Sequence, residues 1–202
     1  FAGVTTDITV FLQVVSTWVL GPLLAAVMAI VIMWTAKLIL HNSRIGLIRL
    51  DGYTRLALLG SGALGAYSLG ANNVANVVGV FLPSQPFPVL SWQGFESSPT
   101  QLLLLVGGIA MASGVLTYSR RTIELVGSGL ANLSPLAAWV CVRAHSIVLL
   151  LFASASLKAW LESKGLPSLP LVPVSSSQAI LGAILGVGLL RGGWDINWGT
   201  VG

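Results

Sequence analysis

From Ile8 to Leu40 the chain runs for 33 residues with Lys37 as its only charged side chain. A helix facing water needs a polar face along its length, and this stretch has none, so lipid must be its solvent. As one helix it would reach roughly 50 Å, against a hydrocarbon core of about 30 Å. Gly21-Pro22 interrupts the run. The expectation is a bend, or a short interfacial piece followed by a span, with the break near Pro22. The whole chain agrees: of 202 residues 55% are hydrophobic and 8% charged, with a mean hydropathy of +0.89. Soluble domains carry about 25% charged residues.

Four further stretches are candidate spans: Leu56 to Leu82, Gln101 to Tyr118, Pro135 to Leu157, and the shorter, glycine-rich Val172 to Leu190. The expected fold class is therefore all-α, a polytopic integral membrane protein. Segment 41–55 holds Arg44, Arg49 and Arg55 against Asp51, and segment 119–134 opens with Arg120-Arg121. Segment 83–100 has no Lys or Arg, only Glu96, with four prolines. The positive-inside rule makes 41–55 and 119–134 cytoplasmic and 83–100 external, for a multi-pass protein of the plasma membrane. Segment 158–171, with Lys158 and Lys164 around Glu162, falls outside by alternation. Trp18, Trp92, Trp160, Trp194 and Trp198 lie near proposed span ends, as in an aromatic belt.

The net charge of +4 and the lack of basic–aromatic interleaving give no nucleic-acid partner. The lone Cys141, in an apolar run, excludes a disulfide within the chain and reads as a small core residue. Phe1 is not a start methionine and no basic leader precedes the first apolar run, so a segment of a longer polypeptide is expected.

Two segments are wrong for plain spans. Gly70 to Gly79 contains Asn72, Asn73 and Asn76. Three carboxamides at membrane depth are costly unless they face one another, a cavity or a ligand. On a helix Asn76 shares a face with both Asn72 and Asn73, offering oxygens to a cation and N–H groups to an anion. The alternative is interhelical bonding with no ligand. Pro173-Val174-Ser175-Ser176-Ser177-Gln178 precedes an apolar run and reads as a helix N-terminus. Its free N–H groups, the serine hydroxyls and the helix dipole would suit an anion, and an ordinary N-cap is the alternative. Gly182 and Gly186 form a small-xxx-small pair for close helix approach.

Gly60-Ser61-Gly62-Ala63-Leu64-Gly65 matches the dinucleotide fingerprint by letter. It lies in a span without the strand–helix unit that fingerprint requires, and close helix packing explains these glycines better. Arg143 and His145 fall in the early half of the fourth span. The Arg can pair with an anion or another helix, or snorkel to the interface. His145 reads as a hydrogen-bonded interior residue, and Glu124 as part of a solvated face. No carboxylate pair within the spans, Cys/His metal spacing or Ser-His-Asp arrangement suggests an enzyme, and no cofactor is expected.

At the two polar segments the chain closely resembles the inorganic phosphate transporter family. That family has two related repeats, each with a Gly-Ala-Asn-Asp-x-Ala-Asn type signature followed later by Pro-x-Ser-Thr-Thr-His. The matching stretches are Gly70 to Asn76 and Pro173 to Gln178. Similarity continues through Arg120 to Gly127 and Gly182 to Gly188, covering roughly 56–198. Trp18-Val19-Leu20-Gly21-Pro22 looks like the helix that closes each repeat.

The resemblance implies half of an inverted-repeat secondary transporter with discontinuous helices: 1–40 as the closing helix of a first repeat, 41–55 as a basic cytoplasmic loop, and 56–202 as a second repeat incomplete at its C-terminus. It implies transport of phosphate, or in some branches sulfate, coupled to Na⁺ or protons. The implied substrate contacts are Asn72, Asn73, Asn76, Ser175, Ser176, Ser177 and Gln178, with Na⁺ at Asn73 and Asn76 and Arg143 as a charge near the path. Asn73 stands where phosphate carriers have Asp, and Gln178 where they have His. Both changes favour a permanently charged anion such as sulfate. Other expected partners are the lipid bilayer, the remaining half of the transporter and a second copy in a homodimer. A non-transporting membrane subunit or anion sensor is the alternative from another class.

Overall fold

The computed structural model describes residues 8–43, 45–84, 87–92, 95–128, 133–166 and 174–192. Trp194, Trp198, Pro173 and the start of the fifth proposed span at Val172 lie outside them. Six α-helices carry the fold: α1 (Ile8–Asn42), α2 (Leu47–Val78), α3 (Pro99–Ser128), α4 (Pro135–Ala153), α5 (Ala155–Ser163) and α6 (Ser176–Leu190). The expected all-α class holds. One detail was not foreseen: a 3₁₀ segment, Gly79–Ser84, and an antiparallel hairpin of β1 (Leu90–Trp92) and β2 (Phe95–Ser97) join α2 to α3.

Helix α1 runs unbroken through Pro22, so it is not divided into an interfacial piece and a separate span. Proline removes one N–H and crowds the preceding turn, which need not end a helix that neighbours hold. Helix α2 begins at Leu47 and already includes Arg49, Asp51 and Arg55, so segment 41–55 is largely helix and only a few residues turn the chain. Likewise α3 continues past Arg120 to Ser128. Arg55 pairs with Asp51 at 2.8 Å and Arg120 with Glu124 at 3.0 Å, both one turn apart on exposed faces.

Local signals set the helix starts. Ser98 and Gln101 form a reciprocal capping box at α3: the Ser98 N–H donates to Gln101 Oε1 and the Gln101 N–H to Ser98 Oγ. Ser134 caps α4 ahead of Pro135, accepting from the Ala137 N–H. The Ser134 oxygen also accepts from Arg191 Nη2 at 3.0 Å, which brings the end of α6 to the start of α4. Ser154 ends α4 and accepts from the Leu157 N–H to start α5, so the expected span Pro135–Leu157 is broken there. Gly165, at φ +67°, closes α5 with the paired carbonyl bonds that this left-handed conformation allows.

The core lies between α1, α4 and α6, with α2 packed against α4. Ala25, Ala29 and Met33 of α1 meet Val140, Ala144 and Val148 of α4 and Ala179, Ala183 and Val187 of α6 in one buried cluster. Cys141 is buried in it, as the sequence suggested. Small residues let α1 and α6 approach to backbone contact. A Cβ on Gly182 would strike the Pro22 carbonyl, and one on Gly186 would sit 2.5 Å from the Ala26 carbonyl oxygen. The small-xxx-small expectation is thereby met. Close packing accounts for Gly65, whose Cβ would lie 3.0 Å from Ser146 Oγ, but not for Gly60 and Gly62, which face open space. Helix α3 touches the rest mainly along α2, and its outer side is exposed.

Candidate functional site

Helix α2 turns Ser61, Gly65, Ser68 and Asn72 to the interior on successive turns. Two buried serines are satisfied at home: Ser68 Oγ donates to the Leu64 carbonyl at 2.6 Å, and Ser146 Oγ on the facing helix donates to the Val142 carbonyl at 2.7 Å. They are packing residues with internal partners.

Asn72 differs. Its Nδ2 donates to the Val174 carbonyl at 2.8 Å and to Asn73 Oδ1 at 2.9 Å, and its Oδ1 accepts from the Val174 N–H at 3.4 Å. One carboxamide thus holds both backbone groups of the residue just before the α6 N-cap. The two polar segments singled out in the sequence meet here, although 102 residues separate Asn72 from Val174.

Beyond Val174, Ser175 caps α6 by accepting from the Gln178 N–H. Its oxygen is used in that bond, so the ordinary N-cap explanation applies to Ser175. Ser176 and Ser177 are the first residues of α6, where N–H groups lack partners within the helix. Both line a cleft of about 350 Å³, with Gly65, Ala66 and Leu69 of α2, Val142 and His145 of α4, and Ile180 of α6.

The expected residues do not all converge. Asn73 is half-buried against Asn72, whereas Asn76, a turn further on, is exposed, and so is Gln178. The shared helical face is therefore buried at Asn72 and open at Asn76. Arg143 is half-buried and is not among the cleft-lining residues. His145, taken from sequence as an internally bonded residue, lines the cleft, and its Nε2 is buried with no hydrogen-bond partner among the described residues. No single-sequence signal gives that placement, because it depends on the rotation of α4 about its axis. Among the described residues no cluster of three or more His, Cys, Asp or Glu could hold a metal ion.

Among the described residues three helical stretches are long and apolar enough to cross a membrane: Phe11–Asn42, Pro99–Arg120 and Pro135–Ala153. Helix α6, with 15 residues, reaches only about 22 Å. A short helix whose polar start opens on a cleft between longer ones fits the class: a polytopic α-helical membrane protein. The chain belongs to the phosphate transporter family, whose model matches residues 1–202.

Relatives agree with that assignment. An inferred phosphate permease of Methanocaldococcus jannaschii is 27% identical over 194 residues, 96% of this chain and 53% of that protein. Others from Thermococcus kodakarensis and Pyrococcus abyssi are 30% and 28% identical, each over 72% of this chain and 32% of theirs. The chain thus spans about half, or less, of the length of these relatives. No solved structure matches it.

Proposed function

We propose that the chain forms one half of the pathway of a secondary transporter that carries inorganic phosphate across the plasma membrane. The observation that carries this is the cleft at the start of α6, where Ser176 and Ser177 present hydroxyl and backbone donors between α2 and α4. A helix N-terminus inside a membrane protein offers positive potential, and the hydroxyls can replace part of an anion's hydration shell. The Asn72 clamp keeps that terminus against α2. The relatives, named as phosphate permeases and about twice as long, have room for a second, related half that would complete the site.

Transport would proceed by alternating access, one half rocking against the other around the anion, with Na⁺ or protons supplying the drive and with no enzymatic step. In this arrangement Asn73 and Asn76 continue the polar line of α2 beyond the cleft and are the places for a coupling Na⁺. Segments 41–55 and 119–134 face the cytoplasm, and Arg143 adds positive charge on α4 outside the cleft.

Sulfate is the second reading, favoured by one observation. The eight described residues that line the cleft are uncharged or, at His145, an imidazole, so none of them is a carboxylate to accept a proton from the anion or to hold a cation. Uptake of labelled phosphate and sulfate into liposomes bearing the full-length protein, with and without Na⁺ and a pH gradient, separates the two. Ser176→Leu and Asn76→Leu are expected to abolish uptake while membrane insertion is kept. Full uptake by both variants would overturn the site, and uptake of neither anion by the parent protein would favour a non-transporting subunit.

A further inference from the structure

We propose that a cavity between α1, α2 and α4 seats one acyl chain of an anionic phospholipid, whose phosphate lies against Arg49. This cavity shares no lining residue with the α6 cleft. Its walls come from Ile39 and Leu40 near the end of α1, Tyr53 and Ala57 near the start of α2, and Leu136 and Trp139 in the first two turns of α4. The Thr54 hydroxyl, also on the wall, donates to the Leu50 carbonyl of its own helix at 2.8 Å, so the interior presents hydrocarbon to a ligand. The volume is about 180 Å³. An apolar cavity of about 150 Å³ holds a benzene molecule, so this one has room for a short run of acyl chain. Ile39 and Tyr53 are exposed, which opens the cavity to the surroundings of the bundle. The three helix ends adjoin segments 41–55 and 119–134, and by the proposed topology the cavity lies in the cytoplasmic leaflet.

The polar groups around the mouth select the occupant. Trp139 Nε1 and the Tyr53 hydroxyl make no hydrogen bond among the described residues, and the indole N–H is not sealed in the core. Such rings settle at the membrane–water boundary, apolar body inward and polar tip toward the headgroups. Arg49 stands one turn before Tyr53 on the same face of α2, exposed and without an ion pair among the described residues. Lys37, beside the wall residue Ala36, is likewise exposed and unpaired among them. The single acid on α1 or α2, Asp51, is taken up by Arg55 at 2.8 Å. Two uncompensated positive charges thus border an apolar slot. They complement a headgroup of net negative charge, whereas a zwitterionic headgroup would bring a cation of its own to the same mouth.

Trp139 serves as the reporter. Purified full-length protein is placed in phosphatidylcholine vesicles, and either phosphatidylglycerol or phosphatidylcholine with brominated acyl chains is added in steps. Bromine quenches indole fluorescence on contact, and the difference between the parent and Trp139→Phe gives the share owed to Trp139. Brominated phosphatidylglycerol is expected to quench Trp139 at about fivefold lower lipid fraction, or less, than brominated phosphatidylcholine, the effect of one cation near an anionic lipid. Arg49→Gln combined with Lys37→Gln should erase that preference. Ala57→Phe, which fills the cavity, should bring quenching by phosphatidylglycerol down to the level of phosphatidylcholine.

Equal quenching by the two brominated lipids in the parent overturns the proposal. So does the absence of Trp139 quenching by either, the result expected if another protein segment covers the cavity. A preference that survives the double substitution or Ala57→Phe places the anionic lipid elsewhere and overturns it as well. If Ala57→Phe fails to fold, the double substitution at two exposed positions decides alone: a lost preference supports the site and a retained one overturns it. No uptake enters the readout, so failure here leaves the transport reading untouched.

Discussion

The carboxamide of Asn72 grips Val174 from both sides, donating to its carbonyl at 2.8 Å and accepting from its N–H at 3.4 Å. Two backbone groups that would otherwise lie unpaired at a buried loop–helix junction are satisfied by one side chain. Asn72→Leu keeps the volume and removes both bonds. It is expected to destabilise the protein by about 1–3 kcal/mol for each polar group left unpaired. Thermal unfolding in detergent measures this, and phosphate uptake should fall with it, since the start of α6 is no longer fixed. An unfolding temperature equal to the parent's would show that Val174 has another partner.

The contact of Gly182 with the Pro22 backbone predicts a steep response to a single methyl. In Gly182→Ala the added carbon meets main-chain atoms of α1 that no rotamer change can move. A loss of about 1–3 kcal/mol is expected, as for other overpacked interiors. Gly60→Ala is the control: its added carbon meets nothing within 4 Å. It should be neutral, or stabilising by up to about 1 kcal/mol through helix propensity. Comparing the two by chemical unfolding in the same detergent decides whether the α1–α6 approach is as close as described.

The Asp51–Arg55 pair should matter little to folding. Both side chains are mostly exposed, 53% and 77%, and they are one turn apart on a single helix. Asp51→Asn is expected to change stability by less than about 0.5 kcal/mol. Its orientation in the membrane is the better readout: removing the acid leaves more net positive charge near 41–55 and should not invert the protein.

Sidedness can be tested with introduced thiols. Cys141 is buried in the core and should not react with a membrane-impermeant maleimide. Glu96→Cys, in the hairpin, should label from outside intact cells, and Gly46→Cys, between α1 and α2, only after the membrane is opened. The reverse pattern would invert the proposed topology.

Much of the fold was legible in the sequence because the bilayer imposes long apolar helices, and its interruptions are polar or contain proline. The fourth proposed span begins at Pro135 and the Ser175–Gln178 segment reads as a helix start, and the structure keeps both. Charge was a poorer guide to connections: Arg49, Arg55 and Arg120 lie on helices that project past the apolar region, since basic residues are as comfortable on an exposed helix as on a loop. Pro22 suggested a division of α1 that packing against α6 does not require. For the candidate site, the sequence singled out the Asn and Ser segments, which the structure brings together at Asn72 and Val174. It did not show that Asn72 would be occupied with Val174 or that His145 would face the cleft. Both depend on the azimuth of one helix against another, which spacing along a single helix does not encode.

The close seating of α6 on α1 joins the first and last of the described helices. During synthesis α1 enters the membrane long before α6 exists, with the glycine- and alanine-lined face that α6 will cover turned to lipid tails. Its strongly apolar character lets it wait there without α6. Helix α6 is short and arrives late, so the rest of the bundle must already provide the surface on which it settles. Errors in assembly should therefore appear as a protein inserted in the bilayer, with α1 in place, whose α6 has not docked, and such a species would expose the serines before any binding pocket had closed around them.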